Sequence, residues 1–546
     1  MRNIHSSRYV LEDDMDVSTP TPPMIESIPT SPMVESTPTS HLLALPAEII
    51  QHILSFLPLH DLLTVSLVNH ALKDHSREDT LWQPFVQEQV PGYNVPKPKN
   101  LSWREVFQQH HPYWFLAKNR IWFADTAHTG KLIIARYDHR INAIEAYALV
   151  AERAHPVMQI WEWNPEAIIH TFQPKVQLDL VSPVIRLNST SYERAYGNRL
   201  QHEVHLDVHQ EVLNATADIR SRLLLARPWP KDITTRATPV WPPHILPSAQ
   251  RTRNDTSPSG FRHTAAKPAR LHELSTSAFR IRRWMEFASR QGLSMRVGED
   301  ITTFATLPES SYTPTPQKPW QGIWVGDYAG HGCEFLLVTQ PESPGALPER
   351  AEWAMRSRER EGSVSSAGSW STAPVEAGSS SSEDGDEEDM FETADDLEDS
   401  VATLQGADIQ SRFDVFDAEE VTTDDEDTVY RGRIEAIKLT GDPNIPRGEY
   451  TFIAPDIGPN GLIRVATEEM FKGARIVKSV GHIAAQGFRD GECLEIRAEQ
   501  CGLMRADTYM TSQLILVSHD RLAQYWETFG HVSFYQRVNL DEFVKV

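Results

Sequence analysis

The chain has 546 residues with 37 prolines and a mean hydropathy of −0.41, room for several domains but with a sizeable part outside any packed core. Its formal net charge of −23 is concentrated in one acidic stretch, and the remainder, close to neutral, shows no basic field that would attract nucleic acid. No apolar run approaches the roughly 18 residues of a membrane span, no apolar stretch opens the chain as a secretory signal would, and three cysteines (Cys333, Cys493, Cys501) fit a reducing compartment, cytoplasmic and/or nuclear.

Residues 1–40 read as a disordered tail. They hold an imperfect repeat, Met24 to Pro32 against Met33 to Ser40, rich in proline, serine and threonine. Such sequence buries too little apolar surface to offset chain entropy. Thr19-Pro20, Thr21-Pro22, Ser31-Pro32 and Thr37-Pro38 have the form of proline-directed phosphorylation sites.

Residues 41–112 read as helical. Pro46 suits a first helical position, where its missing N–H costs nothing. Ile49, Ile50, Ile53, Leu54 and Leu57 follow at helical spacing, and Pro58 ends the run. Asp61 is placed to cap a second helix through Leu62, Leu63, Val65, Leu67, Val68 and Leu72. Two such short helices cannot bury both apolar faces on each other, so apolar side chains are left for a partner. Farther on, Ser102 and Glu105 form a capping box, with Leu101 and Val106 as a staple, for a helix ending near Pro112.

Residues 113–340 read as β-rich. Leu132–Tyr137, Gln159–Trp163, Gln177–Val181 and Glu203–His209 have strand character, as do Gly322–Tyr328 and Glu334–Val338. Residues 228–268 read as a loop or linker, and a basic helix is expected over Leu271–Arg290 around Ile281, Trp284, Met285 and Phe287. Residues 341–428 read as a disordered acidic insertion. Its stretch from Glu376 to Asp427 carries 21 acidic residues against one Arg412, and so accounts for most of the net charge. Residues 429–546 return to strands, at Arg433–Leu439, Gly448–Ile453, Ala474–His482, Leu494–Arg497, Gln513–Val517 and Val532–Val538. Several short strands at close spacing suggest a barrel or sandwich.

Two resemblances rest on quoted residues. Leu45-Pro46, Glu48-Ile49, Ile53-Leu54, Leu57-Pro58, Asp61-Leu62-Leu63, Leu67-Val68 and Leu81-Trp82 resemble an F-box in order and spacing. In the C-terminal block, Thr440-Gly441-Asp442-Pro443-Asn444-Ile445-Pro446 resembles a signature of F-box only proteins with a C-terminal cyclin D1-binding domain. Gly322 to Gly332, Gly481 to Phe488 and Asp520 to Val538 resemble further stretches of that family in the same order. The F-box resemblance implies docking of a Skp adaptor and, through it, a cullin, by Leu45, Pro46, Ile49, Ile50, Ile53, Leu54, Leu57, Leu62, Leu63, Val68 and Trp82. The second implies a β-barrel-like domain that holds a protein substrate, and it allows recognition of a peptide or a C-terminal degron. The expected architecture is thus α+β and multidomain: a helical F-box, then a mostly antiparallel β-barrel-like substrate-binding domain with long disordered insertions.

Substrate-binding candidates are Asp442 and Asn444 on the signature turn, and His331 and His482 beside glycines. Loops at a barrel mouth concentrate binding groups, although Gly, Asp, Pro and Asn also suit a tight turn. On a strand, His205, Asp207 and His209 would share a face with His202 nearby, but no cysteine pair or second cluster completes a zinc site, and no metal or cofactor is expected. No phosphate-binding Gly-Lys-Ser loop, Gly-x-Ser-x-Gly elbow or His-Glu-x-x-His motif is present. The expected function is therefore a non-catalytic substrate-recognition subunit of a Skp–cullin–F-box ubiquitin ligase. The alternatives are an F-box interaction protein outside a ligase and a small-ligand-binding barrel.

Overall fold

A computed structural model describes residues 41–124, 130–193, 198–206, 208, 217–228, 246–247, 266–288, 294–328, 332–364, 429–441, 445, 447–484 and 508–546. The expected tail over 1–40, most of the 228–268 linker, residues 365–428 of the acidic insertion and the expected strand at 494–497 lie outside the described residues. No described helix is long and apolar enough to cross a membrane. The chain divides into two compact units, residues 1–78 and 79–546.

Among its described residues the first unit holds three short helices, α1 (Ala47–Leu54), α2 (Leu59–Val65) and α3 (His70–His75), where two were expected over this stretch. The break falls at Asn69, whose side-chain oxygen accepts the Leu72 N–H at 2.8 Å and caps α3. Asp61 does not cap α2. Pro58 occupies the cap position and Asp61 sits in the first turn, where its charge still complements the helix dipole.

The second unit opens with α4 (Asp79–Gln89), α5 (Trp103–His110) and α6 (Phe115–Asn119). The capping box forms on α5: Ser102 Oγ accepts the Glu105 N–H at 3.2 Å, and Glu105 accepts the Ser102 N–H at 2.8 Å. Two antiparallel sheets follow. The first is open and contains β1 (Ile121–Ala124), β2 (Lys131–Asp138) and β3 (Ala143–Arg153). A separate two-residue hairpin, β4 (Met158–Gln159) with β5 (Ile169–His170), comes next. The open sheet then adds β6 (Pro174–Leu178), β7 (Ile185–Leu187), β8 (Val204–His205), β9 (Ala217–Leu225), β10 (Ala278–Ala288) and β11 (Ser294–Thr306), in the order β6-β3-β2-β1-β11-β10-β9-β8 with β7 also on β3.

Several expectations change here. The basic helix over 271–290 is instead the strand β10, because Phe279 and Ile281 alternate with arginines and pair between β9 and β11. Gln159–Trp163 is strand only at its first residue, and Trp161 is fully buried in the turn that follows. The 203–209 strand shortens to β8, with Asp207 and His209 outside the described residues.

The second sheet comprises β12 (Gly322–Asp327), β13 (Cys333–Thr339), β14 (Ile434–Lys438), β15 (Tyr450–Ala454), β16 (Leu462–Val465), β17 (Arg475–Ile483), β18 (Thr508–Ser518), β19 (Arg521–Trp526) and β20 (His531–Arg537). Pairing runs β15-β14-β13-β12-β20-β19-β18-β17, and β15 pairs back to β17, closing an eight-stranded antiparallel barrel with β16 as a flap on β17. Every barrel strand sends an apolar or aromatic side chain into one interior cluster, among them Trp324, Leu336, Ile434, Phe452, Val477, Leu514, Leu522 and Tyr535. The first barrel strand among the described residues is β12, so β1–β3 and β6–β11 form a sheet of their own and not the barrel's first half. That sheet packs one face on the barrel's outer wall, with Ile121, Phe123, Leu132 and Ile134 against Ile323, Val325, Phe335 and Ile437.

Part of the expected insertion between β13 and β14 is helical. Residues 349–364 form α9 (Glu349–Val364), following the one-turn helices α7 (Ser189–Tyr192) and α8 (Glu309–Tyr312). Ala351 and Ala354 of α9 are buried against Ile453 and Val480 on the barrel wall. Arg358 donates to the Ser512 carbonyl at 2.9 Å and to Glu527 at 2.7 Å. Three small or anchoring positions on one helix face are enough to dock it, even beside a highly charged sequence.

Candidate protein-docking sites

Across α1–α3 and the segments that precede and join them, the apolar residues separate into two sets. Ile50, Leu54, Leu62 and Leu72 are buried. Leu45, Ile49, Ile53, Leu63 and Val68 are exposed, together with Leu42, Phe56 and Leu67, at 39 to 86 % of their surface. These eight large apolar side chains fall within 27 residues, whereas scattered single ones are ordinary on a protein surface. Of the adaptor residues expected from the motif, Pro46 is exposed and Leu57 half-buried. Trp82 lies in the second unit, only 2 % exposed, against the rings of Phe85 and Phe107. Ile50, Leu54, Leu62 and Trp82 are packed within the fold, and the others form an exposed apolar surface. Leu42, Phe56 and Leu67 extend that surface beyond the motif, and the period of α1 carries Phe56 onto the side of Ile49 and Ile53.

The barrel presents a second candidate site. The strand ends at Asp327 and Cys333, Lys438 and Tyr450, Ile483 and Thr508, and Trp526 and His531 all belong to one end, because each pair bounds an antiparallel connection. His331, Asp442 and Asn444 lie in those connections but outside the described residues. His482 is the penultimate residue of β17 at the same end. It is 2 % exposed, its Nδ1 is 2.8 Å from the Tyr450 carbonyl, and its ring stacks on Tyr509 at 4.6 Å.

Below these connections the barrel interior turns polar. Lys438 and Glu334, both essentially unexposed, meet at 2.6 Å. The ammonium lies 4.8 Å from the centre of the Tyr328 ring, and the Tyr328 hydroxyl is 3.2 Å from Thr451 Oγ1. Across the barrel, the Tyr535 hydroxyl donates to Gln524, Gln524 donates to Ser512, and Ser512 meets Ser479 at 2.7 Å. Burial pushes the Tyr328 and Tyr535 hydroxyls well above their ordinary pKa, so both stay protonated.

The signature turn is built onto this pair. Thr440 Oγ1 accepts the Phe335 N–H at 2.8 Å, and Gly441 takes φ +134° directly over the ion pair. A Cβ at Gly441 would stand 2.3 Å from Glu334 Cδ and 2.4 Å from Lys438 Cε, so only glycine fits. Glu334 and Lys438 were not among the sequence candidates. The available signal was Lys438 lying two residues before Thr440 at the end of an alternating strand. Among the described residues, no group of three or more His, Cys, Asp or Glu is placed to hold a metal ion.

Comparison with known families agrees with this division. The family model for the cyclin D1 binding domain matches residues 304–542, from the end of β11 through the whole barrel. The model for an F-box-like domain matches residues 42–88. No curated protein matches the chain.

Proposed function

For a chain that carries an F-box-like domain ahead of a cyclin D1 binding domain, we propose the role of a substrate receptor in a Skp–cullin–F-box ubiquitin ligase. An F-box-like domain supports substrate recognition for such ligases in general and implies a Skp adaptor, and a cyclin D1 binding domain implies a protein partner. The finer reading is ours. The exposed face of α1–α3 docks the adaptor, the adaptor joins the cullin, and the barrel end with the Thr440–Pro446 connection holds a protein substrate. No residue of this chain then needs to be catalytic. A substrate lysine is raised to high effective concentration beside the charged conjugating enzyme. The compartment proposed is cytoplasmic and/or nuclear.

The observation that carries the reading is the run of eight exposed apolar side chains between residues 42 and 68, on α1, α2 and the segments beside them, which has the composition of an interface core. Ile53, 41 % exposed on α1, is the test position. Burying what remains exposed of this side chain contributes about 1 kcal/mol, and a carboxylate there would also have to be desolvated, at a further cost of about 1–3 kcal/mol. Ile53→Glu is expected to reduce adaptor co-purification at least about tenfold, with unchanged circular dichroism. Retention of adaptor at wild-type levels by a folded Ile53→Glu protein would refute the docking face. Adaptor capture without cullin would instead favour a role outside a ligase.

A further inference from the structure

The open sheet carries a pocket of about 340 Å3 that neither family match covers. It lies where residues 201–205 pass Arg222 of β9 and Lys267, and every residue lining it is polar. Most ligand pockets are lined mainly by apolar groups, so this one is built for a polar occupant.

Its charges are unequal. Glu203 has three cations around it: Arg282 at 3.1 Å, Lys267 at 3.4 Å and Arg222 at 3.8 Å. Arg282 also pairs with Glu299, so it is already neutralised from behind. On the lining itself, Arg222 and Lys267 then face a single carboxylate. Arg222 is the group with capacity to spare. Its 3.8 Å approach to Glu203 is longer than a hydrogen bond, and its side chain makes no hydrogen bond among the described residues. The Trp284 ring, 5.3 Å away, holds the guanidinium in place, while 38 % of the side chain stays exposed. His202 lines the same pocket and also makes no hydrogen bond among the described residues. A metal ion does not fit this donor set, because Glu203 is already committed to cations that would repel it.

We propose that this pocket binds a phosphate-class oxyanion, held by the Arg222 fork and the Lys267 ammonium, with the His202 ring as a further donor. A guanidinium fork matches phosphate oxygens two at a time, which gives geometric selectivity as well as charge. A free phosphate ion and a phosphorylated side chain of a polypeptide present the same group.

The test is a phosphorus NMR titration of the purified full chain at constant ionic strength. The probes are inorganic phosphate and a Gly-Gly-phosphoserine-Gly-Gly peptide, and the unphosphorylated twin is added as a competitor that should displace neither. Saturable line broadening with a phosphorylated probe is expected, weakened at least tenfold in Arg222→Gln and only partly restored in Arg222→Lys, which keeps the charge and loses the fork. Preference for the peptide would assign the polypeptide source, and preference for inorganic phosphate the free ion. If Arg222→Gln fails to fold, His202→Gln takes its place, with a loss of about threefold expected. Broadening that never saturates, or that saturates equally in Arg222→Gln and His202→Gln, would overturn the site.

Discussion

Replacing Lys438 by methionine should be among the most damaging single changes in the barrel. Lys438 and Glu334 sit 2.6 Å apart with side chains 0 and 1 % exposed. At an effective dielectric of about 20, unit charges at that separation attract by roughly 6 kcal/mol, and most of that is cancelled by the desolvation of both ions. Removing one partner leaves the other charge buried without its counterion, which costs about 3–5 kcal/mol. Removing both leaves no orphan charge. We expect Lys438→Met and Glu334→Gln each to lower stability by about 3–5 kcal/mol, and the double variant to recover at least about 2 kcal/mol relative to the sum. With roughly 2–4 °C of melting temperature per kcal/mol for a domain of this size, each single change should lower the midpoint by about 6–20 °C. The assay is a double-mutant cycle read by urea denaturation and thermal melting. Single losses below about 1 kcal/mol, or strictly additive effects, would refute a tightly coupled buried pair beneath the signature turn.

Further outcomes follow from other parts of the chain. Deleting residues 365–428 should leave the melting temperature nearly unchanged, whereas extending the deletion back to 349 should lower it, because Ala351, Ala354 and Arg358 anchor α9; equal midpoints for the two deletions would show that the helix contributes nothing. His110 is fully buried, between the Tyr192 hydroxyl at 3.0 Å and Asn142 Oδ1 at 3.1 Å, and burial lowers its pKa from 6.5 to about 4. The folded state thus resists a proton that the unfolded chain accepts, so this contribution is complete above about pH 6.5 and is lost as the pH falls towards 4, by about 3 kcal/mol in all. Urea midpoints measured from pH 7.5 to 4.5 should fall in wild type and fall less steeply in His110→Gln.

Much of the architecture was legible because it is local. Pro46, Pro58 and the spacing of Ile49, Ile53 and Leu57 announce a helix without reference to any other part of the chain. Asn69 was readable as a cap too, but Leu67, Val68 and Leu72 around it continue an apparent helical stripe and hide the break. Ile281, Trp284, Met285 and Ala288 also fit a helical period. Only the pairing of β10 with β9, some 60 residues away, decides for a strand. Closure of the barrel depends on Phe452 meeting Gly481, a contact that no periodicity encodes. At the candidate site, the signature turn was visible as turn chemistry, but its reason was not. Gly441 is required by the Lys438–Glu334 pair, whose members lie 104 residues apart on strands that meet only in the folded barrel.

The long insertion enters and leaves the barrel between two strands, β13 and β14, that are hydrogen-bonded neighbours in a ring with no free edge. Its length is therefore uncoupled from the register of every strand. Closure entropy grows only logarithmically, and doubling such a connection costs about 0.6 kcal/mol. Repeats, charge blocks and modification sites can accumulate or disappear between residues 365 and 428 at almost no cost to the barrel. With α9 holding the start of this stretch to the barrel wall, any motif that arises there remains leashed to the barrel.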